Sequence, residues 1–116
     1  MDIKALQWMG SSLEDLKAFP EPVKDKMGYA LHEAQLGEKS HMAKPLKGFS
    51  GAGVLEIVSN YDGDTYRAVY TVIFKDIIYV LHAFQKKSKT GISTPKKDID
   101  LIANRLLIAQ KTQLEV

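Results

Sequence analysis

The chain has 116 residues, 45% hydrophobic and 26% charged, with a net charge of +2, the proportions of one ordinary globular domain spanning 1–116. It holds no cysteine, which excludes disulfides, thiolate metal sites and cysteine nucleophiles together. Its charge is uneven: residues 1–38 carry four Lys against seven Asp and Glu, whereas residues 39–116 carry twelve Lys and Arg against seven.

The basic excess sits at 39–48 and 86–97, which points to a polyanion on that side or to solvated lysine-rich loops. No apolar run approaches membrane-spanning length, and Met1-Asp2-Ile3-Lys4 does not open a signal peptide, so the cytoplasm is the expected location.

In chain order, Ile3 to Met9 reads as a short edge strand broken by Gly10. Ser11-Ser12-Leu13-Glu14 fits a capping box, opening a short helix with Leu13, Leu16 and Phe19 on its buried stripe and Pro20 at its end. Pro22 suits the first turn of a second helix, in which Val23, Met27, Ala30, Leu31 and Ala34 recur at spacings of three and four. Gly37 is its natural stop, and the two helices read as a helical hairpin. Glu38 to Gly53, with three Gly, one Pro and three Lys, reads as a loop.

Val54 to Asn60 returns to strand vocabulary, and Tyr61-Asp62-Gly63-Asp64 is a hairpin turn signal. Tyr66 to Phe74 and Ile77 to Phe84 are rich in β-branched and aromatic residues, with Lys75-Asp76 the polar break between them. Pairing Phe74 with Ile77 sets Val72 opposite Tyr79, Val69 opposite His82 and Arg67 opposite Phe84. That register puts Arg67, Val69, Thr71 and Ile73 on one face with Ile78, Val80, His82 and Phe84, and both faces are apolar enough to be covered. Thr94 is the predicted N-cap of a last helix, with Pro95 behind it. Ile99, Ile102, Ala103, Leu106 and Ala109 line its buried face, and Thr112 to Val116 is expected to fray. The sum is an α+β domain: N-terminal strand, two-helix hairpin, three-stranded antiparallel meander and C-terminal helix.

Five segments in this order resemble a known group: Lys44-Pro45-Leu46, Tyr66-Arg67-Ala68-Val69-Tyr70, the run Leu81 to Lys87 (LHAFQKK), Thr94-Pro95, and Arg105 near the end of the last helix. Together they are similar to the RelE/HigB toxin superfamily, and within it to the phage-derived Gp49-like branch, over residues 3–110. The resemblance implies a RelE-like fold and the toxin half of a type II toxin–antitoxin module. Such a toxin is a ribosome-dependent mRNA endoribonuclease, neutralised by an antitoxin that in this branch is often a helix-turn-helix protein.

Metal-free RNA cleavage needs a base for the 2′-OH, cations around the phosphorus and an acid for the leaving 5′ oxygen. No acids cluster as metal ligands would, and no cofactor is implied. Arg67 matches the family's strand arginine and suits the phosphate, because a planar guanidinium grips two oxygens; its bland alternative is an ion pair with an acid such as Glu56. Lys86 and Lys87 end the last strand where the family places cations against the scissile phosphate, and Lys87 is expected within one side chain's reach of Arg67. A lysine there serves as acid, or as base if neighbouring cations lower its pKa; otherwise both are loop lysines. His82, inside a strand, is a candidate acid or base, though a lone histidine on an apolar strand face is more often a packing residue. Glu56 replaces a lysine of RelE-type toxins, and is either a carboxylate base or Arg67's partner. Lys44, Lys47 and Lys89 are candidate RNA-backbone contacts, and Phe84 a stacking or a core residue. The competing function is a non-catalytic RNA-, ribosome- or antitoxin-binding module.

Overall fold

The computed structural model describes residues 3–49, 51, 53–86 and 94–115. Its elements are β1 (Ala5–Trp8), α1 (Ser12–Lys17), α2 (Glu21–Gln35), β2 (Ala43–Pro45), β3 (Val54–Tyr61), β4 (Asp64–Thr71), β5 (Ile77–Lys86) and α3 (Lys96–Leu114). The strands form one sheet in the order β1-β5-β4-β3-β2. The expected meander is its centre, with β3, β4 and β5 antiparallel in succession. β1 is an edge strand as expected, and it runs parallel to β5.

β2 lies inside the segment expected to be a loop. It is only three residues long and contains Pro45, so it carries no strand periodicity; its pairing with Leu55 to Ile57 is decided by the sheet edge it lies on. It sets Lys44 directly opposite Glu56.

The helices follow their apolar stripes. Val23, Met27, Ala30, Leu31 and Ala34 of α2 are buried with Ile57, Ala68, Tyr70, Ile78 and Val80 on one face of the sheet. α1 packs beside them on β5. Gly37, at φ 84°, ends α2: its N–H bonds Ala34 C=O and the Glu38 N–H bonds Glu33 C=O, which satisfies two of the helix's last carbonyls. On the opposite face, Ile102, Leu106 and Ala109 of α3 cover Val54, Val69, Tyr79 and Leu81. Truncating a wholly buried anchor such as Leu31 to Ala would cost roughly 2–5 kcal/mol.

Three local expectations change. Ser11 is the N-cap of α1, but its hydroxyl donates to the Asp15 carboxylate at 2.7 Å and no capping box forms. The N-cap of α3 is Pro95, one residue later than Thr94. α3 also runs on to Leu114 without fraying at Thr112. Gln113 Nε2 donates to the Tyr79 hydroxyl at 2.8 Å, a tether to the sheet that no local signal announces.

The register holds in one half and shifts in the other. Arg67 opposes Phe84 and Val69 opposes His82 as expected, but Tyr70 then opposes Val80 and Thr71 opposes Tyr79. Leu81 is therefore an extra residue in β5, a β-bulge. β4 stops at Thr71, and Val72 to Asp76 form the connection. Ile78 and Val80 consequently join the α2 core, where the unbroken count had put them with Arg67. Tyr79 and Leu81 move to the α3 side.

Candidate active site

The face of the sheet under α3 has two halves. α3 covers the apolar half, Val54, Val69, Tyr79 and Leu81. Beyond the first turn of the helix the same face carries Glu56, Arg67, Phe84 and Lys86, set there by strand alternation on β3, β4 and β5. Lys44 continues this charged row onto β2, opposite Glu56. A cleft of about 340 Å³ opens over it, lined by Lys44, Pro45, Leu46, Lys47, Glu56, Arg67, Thr94 and Ile99.

Arg67 and Glu56 are diagonal neighbours, since Arg67 faces Val58 and Glu56 faces Val69. Arg67 Nη1 donates to Glu56 Oε1 in a short ion pair, with side chains 7% and 5% exposed. Both readings of Arg67 thus meet in one place: it is paired with Glu56, and it lines the basic cleft. Lys86 is 8% exposed although it ends a strand. Burial and the neighbouring Arg67 guanidinium lower its pKa below the ordinary lysine value, opposed by the Glu56 carboxylate. Lys44 and Lys47 are exposed at the rim.

His82, two residues before Phe84 on the same face, is engaged with a different partner. Its Nε2 lies 2.8 Å from Asp98 Oδ1 in a buried pair that ties β5 to the first turn of α3. Its ring stacks on Phe84, with centroids 4.7 Å apart and planes at 18°. His82 Nδ1 is buried with no hydrogen-bond partner, so neither ring nitrogen is presented to the cleft. Asp98, at the third position of the helix, was not legible as that partner in the sequence: only the fold brings it beside a residue sixteen positions earlier.

A second, more open groove of about 550 Å³ runs along the edge of β5, lined by Asp15, Phe19, Tyr66, His82, Phe84 and neighbours. Among the described residues it has no lysine or arginine in its lining, so the smaller cleft is the better place for a phosphate. Lys87 and Lys89, and with them the expected approach of Lys87 to Arg67, lie outside the described residues. Among the described residues no three His, Asp or Glu side chains group to hold a metal, and no helix is long and apolar enough to cross a membrane.

Comparison with known proteins bears on this arrangement. The model of one family, "Phage derived protein Gp49-like (DUF891)", matches residues 14–107. The chain belongs to the Gp49-like family. No curated protein matches this Gp49-like chain in sequence. Among solved structures, it is similar to a mutant of the E. coli toxin RelE in the free state, at 16% identity and a TM-score of 0.57. That match covers 94% of this chain and 98% of RelE. It is also similar to the Mycobacterium tuberculosis toxin–antitoxin complex RelBE2, at 18% identity and a TM-score of 0.41, over 76% of this chain and 97% of the other. The RelE match establishes a shared fold. The Gp49-like match spans β3, β4, β5 and thereby Glu56, Arg67 and Lys86.

Proposed function

We propose that this Gp49-like chain is the toxin of a type II toxin–antitoxin module, a metal-independent endoribonuclease that cuts mRNA on the ribosome. The observation that carries the reading is the buried Arg67–Glu56 pair, which lines a cleft rimmed by Lys44 and Lys47 and has Lys86, a lysine of lowered pKa, as its neighbour on the same face of the sheet.

In this reading Arg67 grips the scissile phosphate and stabilises the charge that builds on it, while Glu56 holds the guanidinium in place. Lys86 in its neutral form takes the proton of the 2′-OH. The 2′ oxygen bonds to phosphorus and the bond from phosphorus to the 5′ oxygen breaks, leaving a 2′,3′-cyclic phosphate and a 5′-hydroxyl end. Lys87 is the candidate donor of the proton to that leaving oxygen. Lys44, Lys47 and Lys89 steer the RNA backbone, which requires only charge and reach. Phe84, backed by His82, offers a ring next to Arg67 on which a base can stack. His82 keeps the structural role its two buried nitrogens support, so we do not assign it the proton transfer. The expected partners are mRNA on the ribosome and an antitoxin of the helix-turn-helix kind, and the expected location is the cytoplasm.

Induced expression in a bacterial host, with wild type beside Arg67→Ala and Lys86→Met and mRNA 5′ ends mapped, tests the reading. Growth arrest with new cuts that both variants abolish is expected. Normal growth and intact message from a folded wild type would instead favour a non-catalytic RNA- or antitoxin-binding module.

A further inference from the structure

The geometry points to Arg105 as a positioning residue that fixes the β5 bulge and so brings Lys86 onto the same face as Arg67. The inference rests on the proposed partnership of those two cations. It concerns a residue on α3 whose side chain lines neither the cleft nor the groove along β5.

β5 consists of two half-strands in different registers. From Tyr79 to Val80 the partners on β4 are Thr71 and Tyr70; from His82 to Lys86 they are Val69 down to Thr65. Had the first register continued, Ala83 would oppose Arg67, and Lys86 would oppose Asp64. Directly opposed residues share a face, so Lys86, Phe84 and His82 would then lie with Tyr66 and Ala68 on the α2 side. The inserted Leu81 turns all three toward α3. With Tyr79 and Val80 kept opposite Thr71 and Tyr70, a β5 lacking this insertion would place Arg67 and Lys86 on opposite faces of the sheet.

A bulge needs something to hold it, because the extra residue interrupts the ladder. Here Arg105 Nη1 donates to the Leu81 carbonyl at 2.8 Å. The guanidinium reaches it past Gly10, which sits at φ 53°, where a methyl group would collide with the Arg105 side chain. Two further bonds pin the residue before the bulge: the Met9 N–H and the Ser12 hydroxyl both donate to the Val80 carbonyl, at 3.0 and 3.3 Å. The C-terminal helix, the break after β1 and the bulge therefore meet at one guanidinium.

Register is readable independently of activity. The two-residue turn at Asp62-Gly63 makes Tyr61 and Asp64 a hydrogen-bonded pair, so by alternation Tyr66 and Ala68 bond to β3 and are the non-bonded partners toward β5. Such partners bring their Hα atoms together. The bulged register therefore predicts NMR Hα–Hα cross-peaks for Tyr66–Gln85 and Ala68–Ala83. The straight one predicts Tyr66–Phe84 and Ala68–His82.

The experiment records these cross-peaks and the mapped mRNA cleavage for wild type, Arg105→Ala, Arg105→Lys and Gly10→Ala. Arg105→Lys keeps a donor, and Gly10→Ala displaces the guanidinium without removing it, so the set does not depend on one variant folding. Expected are weakened or doubled Tyr66–Gln85 and Ala68–Ala83 peaks with at least tenfold slower cleavage in Arg105→Ala and Gly10→Ala, and partial recovery of both in Arg105→Lys. A wild-type peak pattern in the folded variants overturns the inference, as does undiminished cleavage with the peaks lost. If wild type itself cleaves nothing, the proposed function fails, while the peaks still decide whether Arg105 holds the register.

Discussion

Arg67 on β4 and Glu56 on β3 form a buried ion pair at the floor of a cleft whose rim is basic. Removing one partner of such a pair strands the other charge, at a cost of about 3–5 kcal/mol. Arg67→Ala should therefore lower the unfolding midpoint markedly as well as abolish cleavage. Arg67→Lys separates the two effects: it keeps a cation for Glu56 but loses the two-pronged grip. A fall in cleavage of roughly 10²-fold or more, with most of the stability retained in thermal unfolding, is expected. Cleavage close to wild type in Arg67→Lys would remove the arginine from the phosphate.

Glu56→Gln asks whether the carboxylate is a proton acceptor or a support. As a support, its loss raises the positive charge of the cleft by one, so RNA binding tightens while turnover drops modestly. As the base, it would leave turnover near the level of Lys86→Met. Single-turnover cleavage and filter-binding affinity at one fixed salt concentration distinguish the two outcomes.

The pKa of Lys86 is lowered, first by burial and then by Arg67. A base must be unprotonated to work, so lowering its pKa enlarges the active fraction at neutral pH. The cleavage rate should climb about tenfold per pH unit on the acid side and level off once pH exceeds the lysine's pKa. Lys86→Arg should flatten that climb and lose most activity, because arginine keeps its proton throughout. A climb that persists unchanged in Lys86→Arg would move the base elsewhere.

His82 and Asp98 make a different kind of pair, linking β5 to α3. His82→Ala leaves the Asp98 carboxylate with one fewer partner and removes the ring behind Phe84. It should destabilise by about 1–3 kcal/mol. Cleavage per folded molecule should stay within a few-fold of wild type, measured below the variant's unfolding range. Loss of activity on the scale of Arg67→Ala, in a folded variant, would return His82 to the reaction.

Tyr70 is wholly buried, and its hydroxyl has no hydrogen-bond partner. Burial, with a smaller contribution from Glu33, pushes its pKa up to about 12. A folded-state pKa above the unfolded value of about 10 means that its contribution to stability is fully present below pH 10. That contribution is lost as pH rises through the folded value. Tyr70→Phe should be neutral or stabilising near pH 7, by up to about 1 kcal/mol, since it removes a desolvated group that has no partner. It should also blunt alkaline unfolding between pH 10 and 12, as followed by circular dichroism.

The sequence by itself determined the element types. Helical spacing in 23–34 and 99–109, β-branched runs in 54–60 and 66–84, and Asp62-Gly63 are local signals that tertiary contacts only had to agree with. The same signals brought Arg67 opposite Phe84, because a hairpin register can be counted once its strands are known; Lys86 was singled out, together with Lys87, by the family resemblance. What the tertiary structure alone decided is the bulge at Leu81, the three-residue β2 and the partners between α3 and β5, Asp98 for His82 and Leu81 for Arg105; the Glu56 partner of Arg67 was one of two readings the sequence offered. A period-two pattern cannot announce the position where it skips, since Tyr79, Val80 and Leu81 are all apolar and either count buries them. The skip is settled by a hydrogen bond from a side chain twenty-four residues away. With Tyr79 and Val80 in their own register against β4, the skip is what keeps Lys86 on the face of Arg67.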